Sequence, residues 1–586
     1  MSTLDILKPK SKADFEDIVN GYLKEFVDDH LNEGFSWRPG QLNAIYEIVY
    51  TYIMKTHDTV ILDAPVGSGK SLVAMAVSYV LNSMGKTGYI LASDISLQDQ
   101  YENDIKRMSL PWGTVKGVDN YICADNGEKH SLGSCKVRRK VAKTMHCYSI
   151  CPYFKARDYA AKSSTSVLNY SYWLIMQNYT NGPGESFFPP RDFTICDEAH
   201  KVMDIVQSHF SPKFQKNTID RVRKVVEFFN NHKVHDHTEH EIAISKALDT
   251  LWATEDQHVM STYLIIIEKA LQSFVKTSEV LYEKVNKEYA NKRPPAEWRE
   301  ALFICDWIKD LHCKVQDYNS IINTTSTRNI VKNPSGDELV FNCIEERYLM
   351  NRTFHRFAKF KILMSATFAS PSDYMRNINV KSAKYVKVDN SFSFEKSPIY
   401  YYPKRRMSYR DFANNKQWLF DKVNRILDEH PLDSGIIHTA SYDVAKSIKE
   451  NLSPKNAKRV HVYKGTDEKR ALLDMMKMSK GKVIMGPSLT TGLNMYDDYA
   501  RFSIIAKVPY PSLGDRFVKA KLAMDQGWYN WKTVVEILQA IGRTVRHEND
   551  WAITYILDGS LGDLIHKSRK SFPKEFMDRI KIMADD

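Results

Sequence analysis

The sequence predicts an α/β protein with two parallel sheets, a small four-cysteine region and a helical insertion within the first sheet. Three observations predict this architecture. Short apolar runs recur along the chain and alternate with helical stretches, which is typical of buried parallel strands. A long segment with helical spacing interrupts the first series of these runs. Half of the eight cysteines fall between Cys123 and Cys151.

Length and composition set limits on the class of protein. The 586 residues suggest two to four domains at roughly 150 residues each. A hydrophobic fraction of 43% excludes a mainly disordered chain, and no apolar run reaches the ~18 residues of a membrane-spanning helix. The N-terminal residues include acids and lysines where a secretory signal is apolar. We therefore expect an intracellular protein, located in the cytoplasm or nucleoid, or in the nucleus of a eukaryote. The net charge of +11 is only a weak indication of a nucleic-acid partner.

The apolar runs give the predicted strands and domain limits. The first series lies at 59–65, 87–93, 165–174, 193–200 and 360–367. The second series lies at 434–441, 459–463, 482–487, 502–509 and 552–558. The stretch 401–406 is a predicted linker between them, and 263–292 has the apolar spacing of a long helix. We predict a first domain at 1–395 and a second at 396–586. The first domain contains the four-cysteine region at 115–160 and a helical insertion at 201–350.

A glycine-rich turn follows the first predicted strand and precedes an apolar helix. In such a turn, backbone N–H groups point at phosphates. Lys70 would reach the β- and γ-phosphates, and Ser71 would ligate Mg²⁺. An ordinary glycine-rich turn is the alternative, but the strand–helix context favours a phosphate-binding loop. The predicted phosphate-binding residues are Gly67, Ser68, Gly69, Lys70 and Ser71.

A second acidic motif follows the strand FTIC. Asp197, at the end of this strand, can hold Mg²⁺. Glu198 can polarise an attacking water, and His200 completes the DEAH sequence. Alone, these letters describe a charged loop tip. Together with an upstream phosphate loop, they predict nucleoside triphosphate hydrolysis.

Three polar residues recur at helical spacing near the end of the chain. Gln539, Arg543 and Arg546 have the i, i+4, i+7 spacing that places residues on one helix face. The preceding run VVEILQAIG is apolar, which indicates a mostly buried helix. An arginine supplied by a second domain stabilises the charge of a transferring phosphoryl group. A basic solvated helix face is the alternative interpretation.

These motifs together resemble superfamily 2 helicases, specifically the XPD/DinG family of iron–sulfur DNA helicases. The resemblance extends from Trp37 to about Phe576. Within Trp37–Gln41, Arg38 and Gln41 are similar to an adenine-proximal element, and 90–101 to a motif that grips the DNA backbone. The sequence Ser-Ala-Thr at 365–367 matches the motif that couples hydrolysis to motion. The resemblance implies two RecA-like domains, with a cluster domain and a helical arch inserted in the first.

One stretch departs from the family pattern. The family commonly has E-G-x-D before KVPYP, whereas this chain has Thr491 and Asn494 at the two carboxylate positions. Gly492 between them is retained and is a predicted nucleotide-binding residue. The departure puts the roles of the two missing carboxylates in doubt, but it does not affect the hydrolytic residues.

The clustered cysteines have the spacing C-x11-C-x11-C-x3-C. Their number suits a metal ion or an iron–sulfur cluster, although the paired C-x2-C knuckles of common zinc modules are missing. By resemblance, the leading interpretation is a [4Fe–4S] cluster, with zinc as the second choice. The basic stretch 136–143 is either a solvated helix or a DNA contact, and its position beside the cysteines favours DNA. The predicted ligands are Cys123, Cys135, Cys147 and Cys151.

A group of histidines and a pair of aromatic residues each have a functional and a purely structural interpretation. Four histidines at 232–240 suggest a metal site, but the wholly polar segment favours an exposed loop without a specific metal. Tyr170 and Trp173 are candidates for stacking on bases, and for Trp173 core packing is at least as plausible.

The expected function is ATP-dependent DNA unwinding by a monomer that uses ATP and Mg²⁺. The expected partners are single-stranded DNA and single-strand/duplex junctions. The resemblance implies 5′→3′ movement, which no residue shows directly. One alternative is an ATP-gated translocase or remodelling factor that clamps DNA or displaces bound proteins. An RNA helicase is another.

Overall fold

The fold was analysed in a computed structural model of the chain. The structure describes residues 11–65, 67–133, 135, 145–178, 187–289, 294–325, 329–388, 394–463, 466–487, 497–542, 545 and 550–584. Two seven-stranded parallel sheets organise these residues, and a small antiparallel sheet accompanies the first. The predicted class of two parallel α/β sheets is therefore confirmed.

The first half of the chain forms one parallel sheet and the antiparallel sheet. Its strands are β1 (Thr59–Asp63), β2 (Gly88–Ala92), β3 (Gly113–Thr114), β4 (Thr165–Asn169), β5 (Phe193–Cys196), β6 (Lys213–Gln215), β7 (Ile330–Ser335), β8 (Glu338–Cys343), β9 (Phe360–Ser365) and β10 (Lys384–Lys387). The parallel order is β10-β1-β9-β5-β2-β4-β3. Because β9 lies between β1 and β5, the loops after these three strands leave the sheet side by side.

The second half forms the other parallel sheet. Its strands are β11 (Ile399–Tyr401), β12 (Gly435–His438), β13 (Val460–Val462), β14 (Val483–Gly486), β15 (Phe502–Ile505), β16 (Ile553–Ile556) and β17 (Ile580–Ile582). Their order is β13-β14-β12-β15-β16-β11-β17. All ten predicted runs contain a strand, because each run is apolar enough to be buried on both faces of a sheet.

Helices cover both faces of each sheet. Those of the first half are α1 (Lys12–His30), α2 (Gln41–Met54), α3 (Lys70–Ser83), α4 (Ile95–Arg107), α5 (Pro152–Lys162), α6 (Tyr170–Asn178), α7 (Val202–Phe210), α8 (Thr218–Asn231), α9 (Thr238–Ala253), α10 (Gln257–Glu288), α11 (Ala296–Thr324), α12 (Arg347–Thr353) and α13 (Pro371–Asn377). Those of the second half are α14 (Phe412–Glu429), α15 (Tyr442–Glu450), α16 (Pro454–Arg459), α17 (Thr466–Met478), α18 (Arg516–Met524), α19 (Gln526–Ile541), α20 (Ser560–Lys567) and α21 (Lys574–Asp578). Among these described helices, none is both long enough and apolar enough to cross a lipid bilayer.

Two local predictions are wrong. The run predicted as a strand at 165–174 becomes helix α6 after Asn169, whose side-chain oxygen accepts a hydrogen bond from the Tyr172 amide at 2.8 Å and caps the helix. The predicted linker 401–406 begins inside the second sheet, because Tyr401 ends β11 and the next residue, Tyr402, is buried. The chain passes between the sheets earlier, between the end of β10 and the start of β11.

The region after β5 is largely helical, with α10 and α11 as its two long helices. It also contains the antiparallel sheet, which the apolar pattern did not predict. Strands β7 and β8 form a hairpin, and β6 pairs with β8. Gly336 and Asp337, which form the turn between two alternating segments, were an available signal for this hairpin.

The histidine segment is not simply an exposed loop. His237 is fully buried, its ring stacks on Phe274 at 4.3 Å, and its Nε2 lies 2.8 Å from the Thr277 hydroxyl. His232 stacks on Phe228. Burial lowers the pKa of His237 to about 4. The prediction of an exposed segment was therefore wrong for His237, because neighbouring helices cover it.

Helix α19 connects the two halves of the molecule. Trp528 and Trp531, near its start, belong to the large hydrophobic core of the first sheet and the helical region. Ile537 and Ile541, near its end, belong to a core of the second sheet. A movement between the two sheets must therefore involve this helix.

Candidate nucleotide site between the two sheets

The loop between β1 and α3 has the conformation of a phosphate-binding turn. Gly67 and Gly69 both adopt a φ of +81°, in the left-handed region that glycine tolerates best. A β-carbon at Gly69 would lie 2.3 Å from Gln41 Nε2, so a side chain here would displace the Gln41 amide that contacts the loop. Lys70 Nζ donates to the carbonyls of Ala64 and Pro65 at 3.2 and 3.3 Å. The loop thus places a lysine at the N-terminus of α3.

The predicted adenine-proximal residues lie against this loop. The Arg38 guanidinium donates to the carbonyl of Gly67, and Gln41 Nε2 donates to the carbonyl of Ser68 at 2.7 Å. The Arg38 amide in turn donates to Gln41 Oε1 at 2.9 Å. These contacts hold the loop in its turn conformation. A contact of Arg38 or Gln41 with adenine stays a prediction.

Asp197 lies at the end of β5 and is almost completely buried. Its Oδ1 accepts from the Glu198 amide, and its Oδ2 accepts from the Tyr101 hydroxyl, both at 2.8 Å. The Tyr170 hydroxyl donates to the Asp197 carbonyl at 3.0 Å. The carboxylate is therefore fixed from two sides and its backbone from a third.

Burial sets the electrostatics of this carboxylate. Burial, helped by the charge of Glu198, raises the pKa of Asp197 to about 6, against the opposing effects of Lys70 and the Tyr101 hydrogen bond. Burial also raises the pKa of Tyr101 well above its usual value, while a hydrogen bond with Ser71 opposes this rise. The Tyr101 hydroxyl consequently stays protonated and donates its proton to Asp197, one of the two predicted magnesium ligands.

Glu198 and His200 begin a chain of contacts that leads away from Asp197. Glu198 has a φ of +51°, a left-handed conformation that costs a non-glycine residue about 1–2 kcal/mol. His200 Nδ1 lies 3.4 Å from Glu198 Oε2 and 2.9 Å from Ser365 Oγ. Burial lowers the pKa of His200 to about 3, so the ring is neutral at physiological pH and the contact with Glu198 is not an ion pair.

The chain of contacts continues to the second sheet. Ser365 Oγ accepts from the Thr367 amide at 3.1 Å, and the Gln539 side-chain amide donates to Thr367 Oγ1. Gln539 lies on α19 and is buried. Side chains therefore connect Glu198 to a helix of the second half.

Of the three polar residues predicted to share a helix face, the structure describes only Gln539. Helix α19 ends at Ile541, and Gly542 is its C-terminal cap. Arg543 and Arg546 lie outside the described residues, as does Gly492 with Thr491 and Asn494.

A cleft of about 240 Å³ lies where these elements meet. Asp63, Pro65 and Thr367 line it from the first sheet. Leu538 and Gly542, at the end of α19, line it from the second half. The cleft is next to the phosphate-binding loop, so a bound nucleotide could contact both halves of the chain.

The four clustered cysteines are all buried, with 3–5% of their surface exposed. Burial raises the pKa of Cys147, and the charges of Asp125, Cys123 and Cys151 raise it further. Cys135 Sγ lies 3.5 Å from His130 Nε2. Among the residues that the structure describes, no group of three or more possible ligands has metal-binding geometry. The basic stretch 136–143 lies outside the described residues.

Three buried tyrosines were not recognised as parts of this site from the sequence. Tyr101 binds the Asp197 carboxylate, although the resemblance assigned 90–101 to DNA contact. Tyr170, a candidate for base stacking, is fully buried and holds the Asp197 backbone instead. The Tyr374 hydroxyl donates to the Ala199 carbonyl at 2.8 Å. Helical spacing of Gln98, Tyr101 and Ile105 could have indicated that Tyr101 points inward.

Comparisons with known proteins agree with this arrangement. A family model described as type III restriction enzyme, res subunit, matches residues 34–236, and one described as helicase C-terminal domain matches 423–579. The match to a solved XPD helicase structure covers 94% of this chain and 99% of that one, with a TM-score of 0.60 and 16% sequence identity. The match to the structure of S. tokodaii Xpd4 covers 93% of this chain and 99% of that one, with a TM-score of 0.58 and 16% sequence identity. The chain therefore has the fold of these XPD helicase structures. The RecA-like character of both sheets is thereby confirmed.

The curated relatives are longer than this chain. ATP-dependent DNA helicase CHL1 of Debaryomyces hansenii is 20% identical over 70% of the chain, and that of Saccharomyces cerevisiae 21% identical over 77%. The chain covers 57% and 62% of these two relatives. It therefore spans less than two thirds of either.

Proposed function

We propose that the protein hydrolyses ATP to move along single-stranded DNA and to separate the strands of an adjoining duplex. The observation that carries this proposal is the buried chain of contacts from Glu198 through His200, Ser365 and Thr367 to Gln539. It joins a candidate hydrolytic carboxylate on the first sheet to a helix shared with the second. Relatives named ATP-dependent DNA helicases support the same activity.

The residues of the first sheet have distinct roles in this proposal. Backbone N–H groups at 67–71 bind the phosphates, and Lys70 exchanges its loop carbonyls for phosphate oxygens. Glu198 orients and polarises the attacking water. Ser71 and Asp197 fit a hydrated Mg²⁺, because a hydroxyl and a carboxylate oxygen are hard ligands, and the Tyr101 hydroxyl holds the carboxylate. The ion would neutralise charge that develops on the phosphates.

Closure of the cleft completes the site in this proposal. Arg543 and Arg546 follow directly after the end of α19, where the cleft is lined by Leu538 and Gly542. An arginine there stabilises the charge of the transferring phosphoryl group. Gln539 transmits the state of the site to the second sheet through Thr367. Gly492 is a further proposed nucleotide contact.

We propose the domain division at 395/396, with the four-cysteine region at 115–160 and the helical insertion at 201–350. The cysteines fit an iron–sulfur cluster in number and in burial. Cys123, Cys135, Cys147 and Cys151 would hold it. When bound, such a cluster would brace the surrounding turns, with zinc as the second choice.

Unwinding of forked, 5′-tailed and 3′-tailed duplexes with ATP tests the function. We expect unwinding of forked and 5′-tailed substrates, in the direction that the resemblance implies. Unwinding only from the 3′ tail would contradict the direction. ATP-driven displacement of a DNA-bound protein without strand separation would instead support a translocase. ATP turnover stimulated by RNA but not by DNA would support an RNA helicase.

A further inference from the structure

Tyr101 occupies an unexpected position for a residue in a predicted DNA-binding segment. It lies in the middle of α4 and is 0% exposed, so its ring cannot contact DNA. Gln98, one turn earlier, donates to the carbonyls of Val115 and Val167 at 2.9 and 3.2 Å. These contacts fix the inward face of α4 against the sheet and aim the Tyr101 hydroxyl at the end of β5.

The hydroxyl meets one oxygen of Asp197. It donates to Oδ2 at 2.8 Å, while Oδ1 accepts from the Glu198 amide. The hydroxyl therefore limits rotation of the carboxylate about χ2. Partners that orient a metal ligand in this way commonly change metal affinity by about 10–100-fold when they are removed.

Ser71 lies at the start of α3, near the same hydroxyl, and opposes the rise of the Tyr101 pKa. A fully buried phenol has few ways to satisfy its hydroxyl, and here the Asp197 carboxylate accepts its proton. This hydrogen bond to a predicted magnesium ligand points to a role in magnesium binding in addition to packing.

We propose that Tyr101 is a positioning residue that holds the Asp197 carboxylate in the geometry required for Mg²⁺ binding. The inference rests on the proposed function only in taking Ser71 and Asp197 as the magnesium ligands. It adds a residue that touches neither the nucleotide nor the ion. Removal of the hydroxyl should therefore weaken the dependence of nucleotide affinity on Mg²⁺. The nucleotide affinity measured without Mg²⁺ should change much less.

The test is the affinity for a fluorescent ADP, measured with EDTA and across a Mg²⁺ titration. We expect Tyr101→Phe to raise the Mg²⁺ concentration for half-maximal effect about tenfold, with the affinity in EDTA unchanged. A half-maximal Mg²⁺ concentration within twofold of that of the wild type would overturn the proposal. Equal losses with and without Mg²⁺ would do the same, because they indicate a merely structural role.

Three further variants complete the test. Tyr318→Phe removes another buried hydroxyl, on α11, and should leave the Mg²⁺ response unchanged. In an Asp197→Asn background, Tyr101→Phe should cause no additional loss, whereas an additive loss would contradict action through Asp197. Tyr101→Met, which fills the space without a hydroxyl, repeats the test if the Phe variant does not fold.

ADP binding does not require turnover, so this result is separable from the proposed function. A protein without ATPase activity that still shows the tenfold change would support the role of Tyr101 and contradict only the proposed function. Wild-type ADP binding that is independent of Mg²⁺ would overturn the inference about Tyr101.

Discussion

The nucleotide site and the four-cysteine region both have chemically distinctive residues, but the fold holds them in different ways. Asp197 lies at a strand end, where it has hydrogen bonds to Tyr101 on α4 and to the amide of Glu198. Cys123 follows an isolated β-bridge, Cys147 lies in a turn and Cys151 precedes α5, in a region of short 3₁₀ turns. Regular secondary structure and its hydrogen bonds fix the first set of side chains. In the proposed iron–sulfur role, a bound cluster would contribute more to the placement of the second set.

This difference leads to a ranking of variants by their effect on ATP turnover. Changes at the nucleotide site should reduce turnover and leave the rest of the protein intact. Changes at the cysteines should alter bound iron and local stability more than basal turnover. The following predictions proceed from the largest expected effect on turnover to the smallest.

Arg543→Ala should reduce ATP turnover by about 1,000-fold, the effect expected for an arginine that stabilises the transferring phosphoryl group. Binding of ATP should change much less, because this arginine contributes mainly in the transition state. Steady-state turnover beside equilibrium binding of a non-hydrolysable analogue checks this. Equal losses in both measurements would contradict the proposed role.

Lys70→Ala should reduce ATP turnover by about 100-fold or more, because it removes the only side-chain cation proposed for the phosphates within the loop. DNA binding should be largely retained, since Lys70 Nζ faces the loop carbonyls of Ala64 and Pro65. Turnover and binding to labelled single-stranded DNA are the measurements. Lys12→Ala, at a well-exposed lysine on α1, is the control. Undiminished turnover in the Lys70 variant would exclude this loop as the nucleotide site.

Gln539→Ala should slow DNA-stimulated turnover by about tenfold, the equivalent of one lost buried hydrogen bond to Thr367. Nucleotide binding should be nearly unchanged, because the hydrogen bond that Gln539 donates goes to Thr367 and not to the phosphate-binding loop. Gln417→Ala, which removes an exposed glutamine on α14, is the matched control. If both variants have wild-type turnover, the chain of contacts does not couple the two sheets.

Cys147→Ser should have the smallest effect on basal turnover and the largest on bound iron. The wild-type protein, prepared without oxygen, should be brown and absorb near ~400 nm, and this absorbance should be lost in the variant. Cys313→Ser, at one of the scattered cysteines on α11, should keep the absorbance. A colourless wild-type protein that contains one zinc ion would contradict the iron–sulfur cluster and support a zinc site. Loss of basal turnover in the Cys147 variant would erase the proposed difference between the two regions.

The sequence was sufficient to predict that Lys70 and Asp197 lie near each other, because the carboxyl ends of parallel strands lie at the same edge of a sheet. Once β1 and β5 were recognised as apolar runs, Lys70 and Asp197 had to follow them at that edge. The apolar runs gave both sheets, and the helical spacing at 263–292 gave the long helix α10. These patterns did not predict β6, β7 and β8, in which apolar residues alternate with polar ones.

The tertiary structure alone decided which side chains complete the site. Tyr101 meets Asp197 from 96 positions away along the chain, and Gln539 meets Thr367 from 172. His237 is likewise buried by a residue distant in sequence, Phe274, on which its ring stacks. Local sequence determines whether a segment is a strand, a helix or a glycine turn, because those choices depend on neighbouring residues. The partners of a buried hydroxyl or amide depend on how distant elements pack, and no spacing in the sequence specifies that.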